Sequence, residues 1–286
     1  MTLILRTKQN ISNTSAPYLN KYDPIESRTG SIFLWDAGRN PTTAFNTSAE
    51  ASSKTLGNLL AEYGNSVVGN ASDFERAYLS NNANSIKSEI TLKGGLHCIA
   101  TQTQDTNQNY VGVRINNSLK TYLDTQVVLG NIYFSVWRRT TRKTNLNSGT
   151  DLSLINYQTA FLAHTNTTGI ELNVGGDKTL SPLLYQSNDD SIGVPQFVSA
   201  RPSGKSESSE NRMMIGAGCL PPWGISQALK RSPSVIYYRI YIENLALSGR
   251  SYAEVSALDQ AEFNKAFAVG GRFYGDTWSD PATVLP

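Results

Sequence analysis

The chain has 286 residues, 39% of them hydrophobic and 17% charged, with a formal net charge of +2. That length allows one large β domain or two small ones and leaves ample chain to bury a core. A near-neutral balance gives no electrostatic reason to expect nucleic acid or an anionic membrane as the main partner, and surface polarity comes more from Asn, Ser and Thr than from charge.

Residues 1–24 read as an extended arm: a short LILRT strand, the turn-rich QNISNTSAP, then YLNKYDP. Leu3, Ile4 and Leu5 form a run too short for a signal-peptide core or a membrane span, so membrane insertion is not expected. The segment SIFLWD (31–36) places bulky residues at odd and even positions alike, as a strand covered on both faces would. Residues 47–80 have a different texture. SAEASSKTLGNLLAEYG and SDFERAYLS carry helical patches, with Ser72 or Asp73 as N-cap of a helix over 74–79, so a helical and loop insertion is expected there.

Strands resume at Glu89 with ITLKGGLHCIA. NYVGVRI follows, with Val111, Val113 and Ile115 on one face, and then NIYFSVWRRTTR, with Ile132, Phe134 and Val136 on one face. The intervening TQTQDTNQN and NNSLKTYLDTQ read as turns or loops. LSLINYQTAFLAH and GIELNV make another pair of strands, residues 175–211 read mostly as loop, and RMMIGAGCL reads as a short buried strand leading into PPWG. Recurrent strand signals without crossover helices argue for a mainly β, antiparallel sandwich over residues 25–250.

The strongest local signals lie in residues 235–286. Ile236, Tyr238, Ile240 and Ile242 alternate with Tyr237, Arg239, Tyr241 and Glu243, which predicts a strand buried on one face, with a switch of face near Glu243 and Asn244 before Leu245 and Leu247. Ser251 and Glu254 form a capping box, so a helix should begin at Tyr252. Tyr252, Val255, Phe263, Ala266 and Phe267 share one side of it together with Asp259, and Gly270-Gly271 ends it. The helix and the aromatic-glycine tail GRFYGDTWSDP form the last unit, 251–286, expected to pack on the sandwich.

The order YYRIYIENLALSGRSYAEV followed by FNKAFAVGGRFYGDTWSDPAT resembles the C-terminal end of concanavalin A-like (laminin G/pentraxin-like) domains in structural proteins of tailed bacteriophages and prophages, and GSIFLWDAGR and YFSVWRRTTR look similar to that family's early and central strands. The resemblance implies a jelly-roll sandwich in a virion component assembled in the bacterial cytoplasm. Such a protein is tail-associated (tip, fibre or baseplate) or a capsid decoration, and works by self-association and binding to other virion proteins. A glycan-binding adhesin that recognises a host surface receptor is the alternative, and a glycan depolymerase a further one.

Candidate chemistry is sparse. His97 and His164 lie in different strands between apolar neighbours and read as satisfied sheet residues; Cys98 and Cys219, among small apolar residues, read as buried free thiols. No zinc-ligand spacing, phosphate loop or nucleophile elbow occurs in a suitable context. Glycoside hydrolysis needs two carboxylates about 5 to 9.5 Å apart across a sugar, and no predicted strand carries such a run. The nearest cluster, Glu254, Asp259 and Glu262, is explained by a helix cap and a solvated helix face. No catalytic residue or cofactor is therefore nominated, and the chain is expected not to be an enzyme. Asp189 and Asp190 in SNDDS are candidate Ca²⁺ ligands set against a plain turn. Arg138, Arg139 and Arg142 form the basic cluster WRRTTRK, in which alternation puts the first two on opposite faces, for pairing with scattered acids or for contact with a neighbouring subunit. Trp223 in LPPWG can stack on a sugar, anchor an interface or simply pack; Tyr274 and Trp278 divide in the same way, with interface packing favoured.

Overall fold

A computed structural model describes residues 23–53, 55–69, 73–80, 84–104, 109–142, 161–162, 184–187, 192–201, 214–219 and 233–286. The arm expected at 1–24, save its last two residues, and the strands expected at 152–164 and 169–174, save 161–162, lie outside them. In chain order the first half contains β1 (Ser31–Asp36), α1 (Ser48–Ser52), β2 (Thr55–Leu56), α2 (Ala61–Val68), β3 (Phe74–Leu79), β4 (Ile86–Ile90), β5 (Leu96–Ala100), β6 (Asn109–Ile115), α3 (Asn117–Val128) and β7 (Ile132–Arg142). The second half contains β8 (Phe161–Leu162), β9 (Leu184–Ser187), β10 (Pro195–Arg201), β11 (Met214–Cys219), β12 (Ser234–Asn244), α4 (Leu245–Ser248), α5 (Tyr252–Phe267) and α6 (Pro281–Val284).

The protein is mainly β, and every described strand pair is antiparallel. The larger sheet runs β4-β5-β12-β7-β10-β9, and the smaller runs β2-β3-β6-β11-β8. β12 is the axis of the larger sheet. Along one edge it pairs with β7; along the other, residues 235–237 pair with β5 and residues 239–243 with β1, which lie end to end. The two sheets share one apolar core, in which Ile240, Ile242, Phe134 and Val136 of the larger sheet meet Phe74, Val111, Val113 and Ile215 of the smaller. The opposite face of the larger sheet is covered by α5 and by a second cluster containing Leu34, Leu60, Tyr133, Tyr241, Tyr252 and Val255. Fully burying one such side chain is worth about 1.5–3 kcal/mol, so both coverings contribute heavily.

This layering corrects the reading of β12 as buried on one face, since all eleven of its residues are buried. It also moves Tyr238. A register shift between Tyr237 and Arg239 against β7 inserts one extra residue, and a bulge of this kind re-aims side chains. Tyr237 thus reaches the smaller sheet, donating from Oη to the Gly216 carbonyl at 2.8 Å. Tyr238 and Arg239 both face the helix side, where Tyr238 meets Phe267 edge-on, with ring centroids 5.1 Å apart. Near Asn244 the chain turns into α4, capped by the Asn244 side chain; Leu245 is buried and Leu247 half-exposed.

Other expectations change as well. Helices α1 and α2 fall within 47–80, but residues 74–79 form strand β3 and not a helix: FERAYL alternates, and pairing with β6 over all six residues outweighs its helical propensity. The segment read as a turn or loop at 116–126 falls in helix α3, with Asn116 Oδ1 accepting from the Leu119 N–H at 2.8 Å and Leu119 and Leu123 buried at i, i+4 spacing. Within 175–211, read mostly as loop, β9 and β10 extend the larger sheet beyond β7. Helix α5 begins and is capped as expected: Ser251 and Glu254 complete a capping box, and Gly270 takes a left-handed φ of 79° just past the helix end.

Candidate functional site

The helix side of the larger sheet holds a buried charged network that the sequence pattern does not reveal. Asp259, placed by its spacing with the apolar stripe of α5 but explained within the carboxylate cluster as part of a solvated face, is fully buried, because that stripe lies on the sheet. Its Oδ1 accepts from Trp137 Nε1 at 3.1 Å, and its Oδ2 from Tyr133 Oη at 3.1 Å and from Ser135 Oγ. Arg239 Nε lies 3.5 Å from Oδ1. Arg239 Nη1 donates to Asp23 at 2.6 Å and to Asp36 at 3.1 Å; Arg39 closes on Asp23 at 3.2 Å and Arg272 on Asp36 at 2.5 Å. Burial alone would lower the Arg239 pKa, but the carboxylates of Asp23, Asp259 and Asp36 outweigh it and hold the pKa above its ordinary value. At Asp259 burial prevails and raises the pKa, opposed by Arg239 and by the Ser135 and Tyr133 hydroxyls. The network ties residue 23, β1, β12, α5 and the tail into one body. Every acid in it faces donors, which is the arrangement of a structural staple.

The residues nominated from sequence are scattered. Arg138 is buried opposite Tyr237, on the face toward the smaller sheet. Arg139 emerges on the helix side, its guanidinium 5.0 Å from the Trp278 ring centroid, 5.6 Å from Phe267 and 5.8 Å from Tyr238. Arg142 donates to the carbonyls of Leu285 at 2.8 Å and Ala100. Trp278 is packed against the core, whereas Tyr274 is 49% exposed. Trp223, Asp189, Asp190 and His164 lie outside the described residues. Among the described residues, no group of three His, Cys, Asp or Glu side chains is placed to hold a metal, and no helix is long and apolar enough to cross a membrane.

His97 is fully buried, with Nδ1 2.8 Å from Glu89 Oε1 and Nε2 2.8 Å from Thr141 Oγ1. Burial lowers its pKa against the opposing pull of Glu89, and the bond from His97 is the main reason the Glu89 carboxyl sits at about 2. Cys98 is a buried free thiol whose pKa burial pushes up.

A different place has the features of a binding site. Where residues 40–43 and the α1–β2 segment cross β3, an open cleft of about 560 Å³ is lined by Trp35, Asn40, Thr42, Thr43, Ser52 and Arg76, among others. The alternation of β3 puts Arg76 on the same face as Phe74 and Tyr78, so a cation occupies a position patterned for an apolar residue. It is 7% exposed and lies 5.3 Å from the Phe45 ring centroid. Nη1 donates to Thr43 Oγ1 at 3.1 Å and Nη2 to Thr42 Oγ1 at 2.5 Å, while Nε is buried without a partner. No carboxylate pairs with it among the described residues, and burial lowers its pKa without any counter-charge. Sequence reasoning missed Arg76 because it read this segment as helix; the signal was an arginine between aromatics at strand spacing.

No protein-family model matches this chain, and no curated protein matches it either.

Proposed function

We propose that this chain is a structural component of a bacteriophage or prophage particle, with its two sheets arranged as a concanavalin A-like jelly roll, acting by binding and assembly in the tail or as a capsid decoration. What supports the reading is the C-terminal run that resembles such proteins. Its last strand, capped helix and aromatic-glycine tail form one docked body, locked by the Asp259–Arg239 network and by Arg139 beneath Trp278. The same end of the molecule presents large apolar groups. Val269 is 82% and Tyr274 49% exposed on the tail, and Leu92 is 74% exposed in the turn between β4 and β5, whose backbone bonds to Thr277 and Asp276. Exposed apolar groups rimmed by polar surface favour contact with another protein. Light scattering on the chromatographed chain tests this: self-association is expected, weakened by the pair Val269→Ser and Tyr274→Ser without loss of helix signal. A monomer at every concentration, with no binding to purified particles, would contradict it.

A further inference from the structure

We propose that the cleft around Arg76 is a binding site for a carboxylate-bearing sugar, of the uronic or sialic acid type. The first ground is charge. An arginine keeps its proton in proteins and offers five N–H donors; here two donate to neutral threonine hydroxyls, and no carboxylate balances the charge among the described residues. A buried cation left in this state is costly unless paired. Elsewhere in the same protein the buried Arg239 has three acids around it and the buried Arg139 is shared by three aromatic rings, whereas Arg76 has one ring and no acid among the described residues. At Arg76 the missing partner is one that arrives from the open cleft.

The second ground is what surrounds the charge. Thr42, Thr43 and Ser52 contribute hydroxyls and Asn40 an amide, groups that donate and accept as sugar hydroxyls require. About 560 Å³ is within the range of small-ligand sites, roughly 300–1,000 Å³. One cation with neutral hydroxyls matches a monoanion. The planar guanidinium fork fits a carboxylate, whereas a doubly charged phosphate calls for a second cation or a nest of backbone N–H groups. The Asn40 amide donates to the Gly57 carbonyl at 2.9 Å, fixing one rim, and Trp35 Nε1 donates to the Asn40 carbonyl at 2.9 Å, so the rim is preorganised. This inference does not rest on the assembly reading, which stands or falls on the association measurement.

The test is calorimetric titration of the full chain with glucuronic acid, N-acetylneuraminic acid, glucose, acetate and inorganic phosphate. At least one acidic sugar is expected to bind, with glucose and acetate at least about tenfold weaker, since each carries only half of the recognised chemistry. Arg76→Gln should weaken the acidic sugar about tenfold or more while leaving the melting temperature unchanged or raised, because an uncompensated charge is removed. Thr43→Val, an exposed position, should weaken binding without touching the fold. Failure of both acidic sugars to bind, equal binding of glucose, preferential binding of phosphate, or a steep fall in melting temperature for Arg76→Gln with Thr43→Val binding normally would each overturn the proposal.

Discussion

Replacing Asp259 with asparagine separates a buried staple from a solvated helix face. The substitution keeps the shape but removes the charge that faces Arg239 Nε at 3.5 Å. The new carbonyl oxygen can still accept from Trp137 Nε1, now 3.1 Å from Oδ1, and the Tyr133 and Ser135 hydroxyls can turn to accept from the amide. What remains is a buried guanidinium with one acid fewer; Asp23 and Asp36 still hold its Nη1. Removing one partner of a buried pair costs about 3–5 kcal/mol when nothing replaces it, so about 2–3 kcal/mol is expected for Asp259→Asn and about 4 kcal/mol for Asp259→Ala, which also orphans three donors. Urea denaturation followed by tryptophan fluorescence reads the loss as a lower midpoint at unchanged slope. A double-mutant cycle with Trp137→Phe should return a coupling of about 1 kcal/mol or more. If Asp259→Asn stays within about 0.5 kcal/mol of the parent, as surface substitutions do, the network is not what joins the helix to the sheet.

Three further outcomes follow from the same packing. Arg139→Gln removes the cation shared by Trp278, Phe267 and Tyr238; the loss should be about 1–2 kcal/mol, and hydrogen exchange should quicken in the tail around Trp278 while β7 stays protected. Stability should fall as pH drops from 6.5 to 2. Burial lowers the His97 pKa below its ordinary 6.5, so the stability of the neutral ring is lost as pH falls through the folded value, while Glu89, held at about 2 by the His97 bond, adds stability above its ordinary 4.5 that disappears between 4.5 and 2. Thr141 Oγ1 also lies 3.0 Å from the Ser234 carbonyl, so its single hydrogen serves either that oxygen or His97 Nε2. Arg142 further lowers the His97 pKa, and Asp276 and Glu89 oppose it. A His97 titration midpoint above 6.5 by NMR would refute this balance. Cys98, buried and with its thiolate disfavoured, should resist iodoacetamide in the native protein and react once urea unfolds it, read by peptide mass mapping; native alkylation at the unfolded rate would contradict its burial.

The sequence revealed what local chemistry governs. The capping box at Ser251, the apolar stripe of α5 and the alternation of β6 and β7 are written in neighbouring residues, and they stand as read. What it hid depends on partners distant in the chain. Residues 74–79 have a helix-compatible composition and become a strand because β6 offers its edge. The one-residue bulge at Tyr238 has no local signature, yet it decides which face Tyr237, Tyr238 and Arg239 occupy. Helix α3 was legible in Asn116, Leu119 and Leu123 and was obscured by a polar, turn-like composition. Asp259 and Arg76 illustrate a common difficulty. The spacing of a charged residue gives its face, but only the tertiary structure tells whether that face meets solvent, an opposite charge or an open cleft.

Particles purified by density gradient from cells that carry this sequence, digested and analysed by peptide mass spectrometry, test the assembly reading most directly. Peptides of the C-terminal helix and tail should be recovered with the particle at a constant ratio to its other proteins. Their recovery only in the soluble fraction, with none in the particle band, would contradict the account.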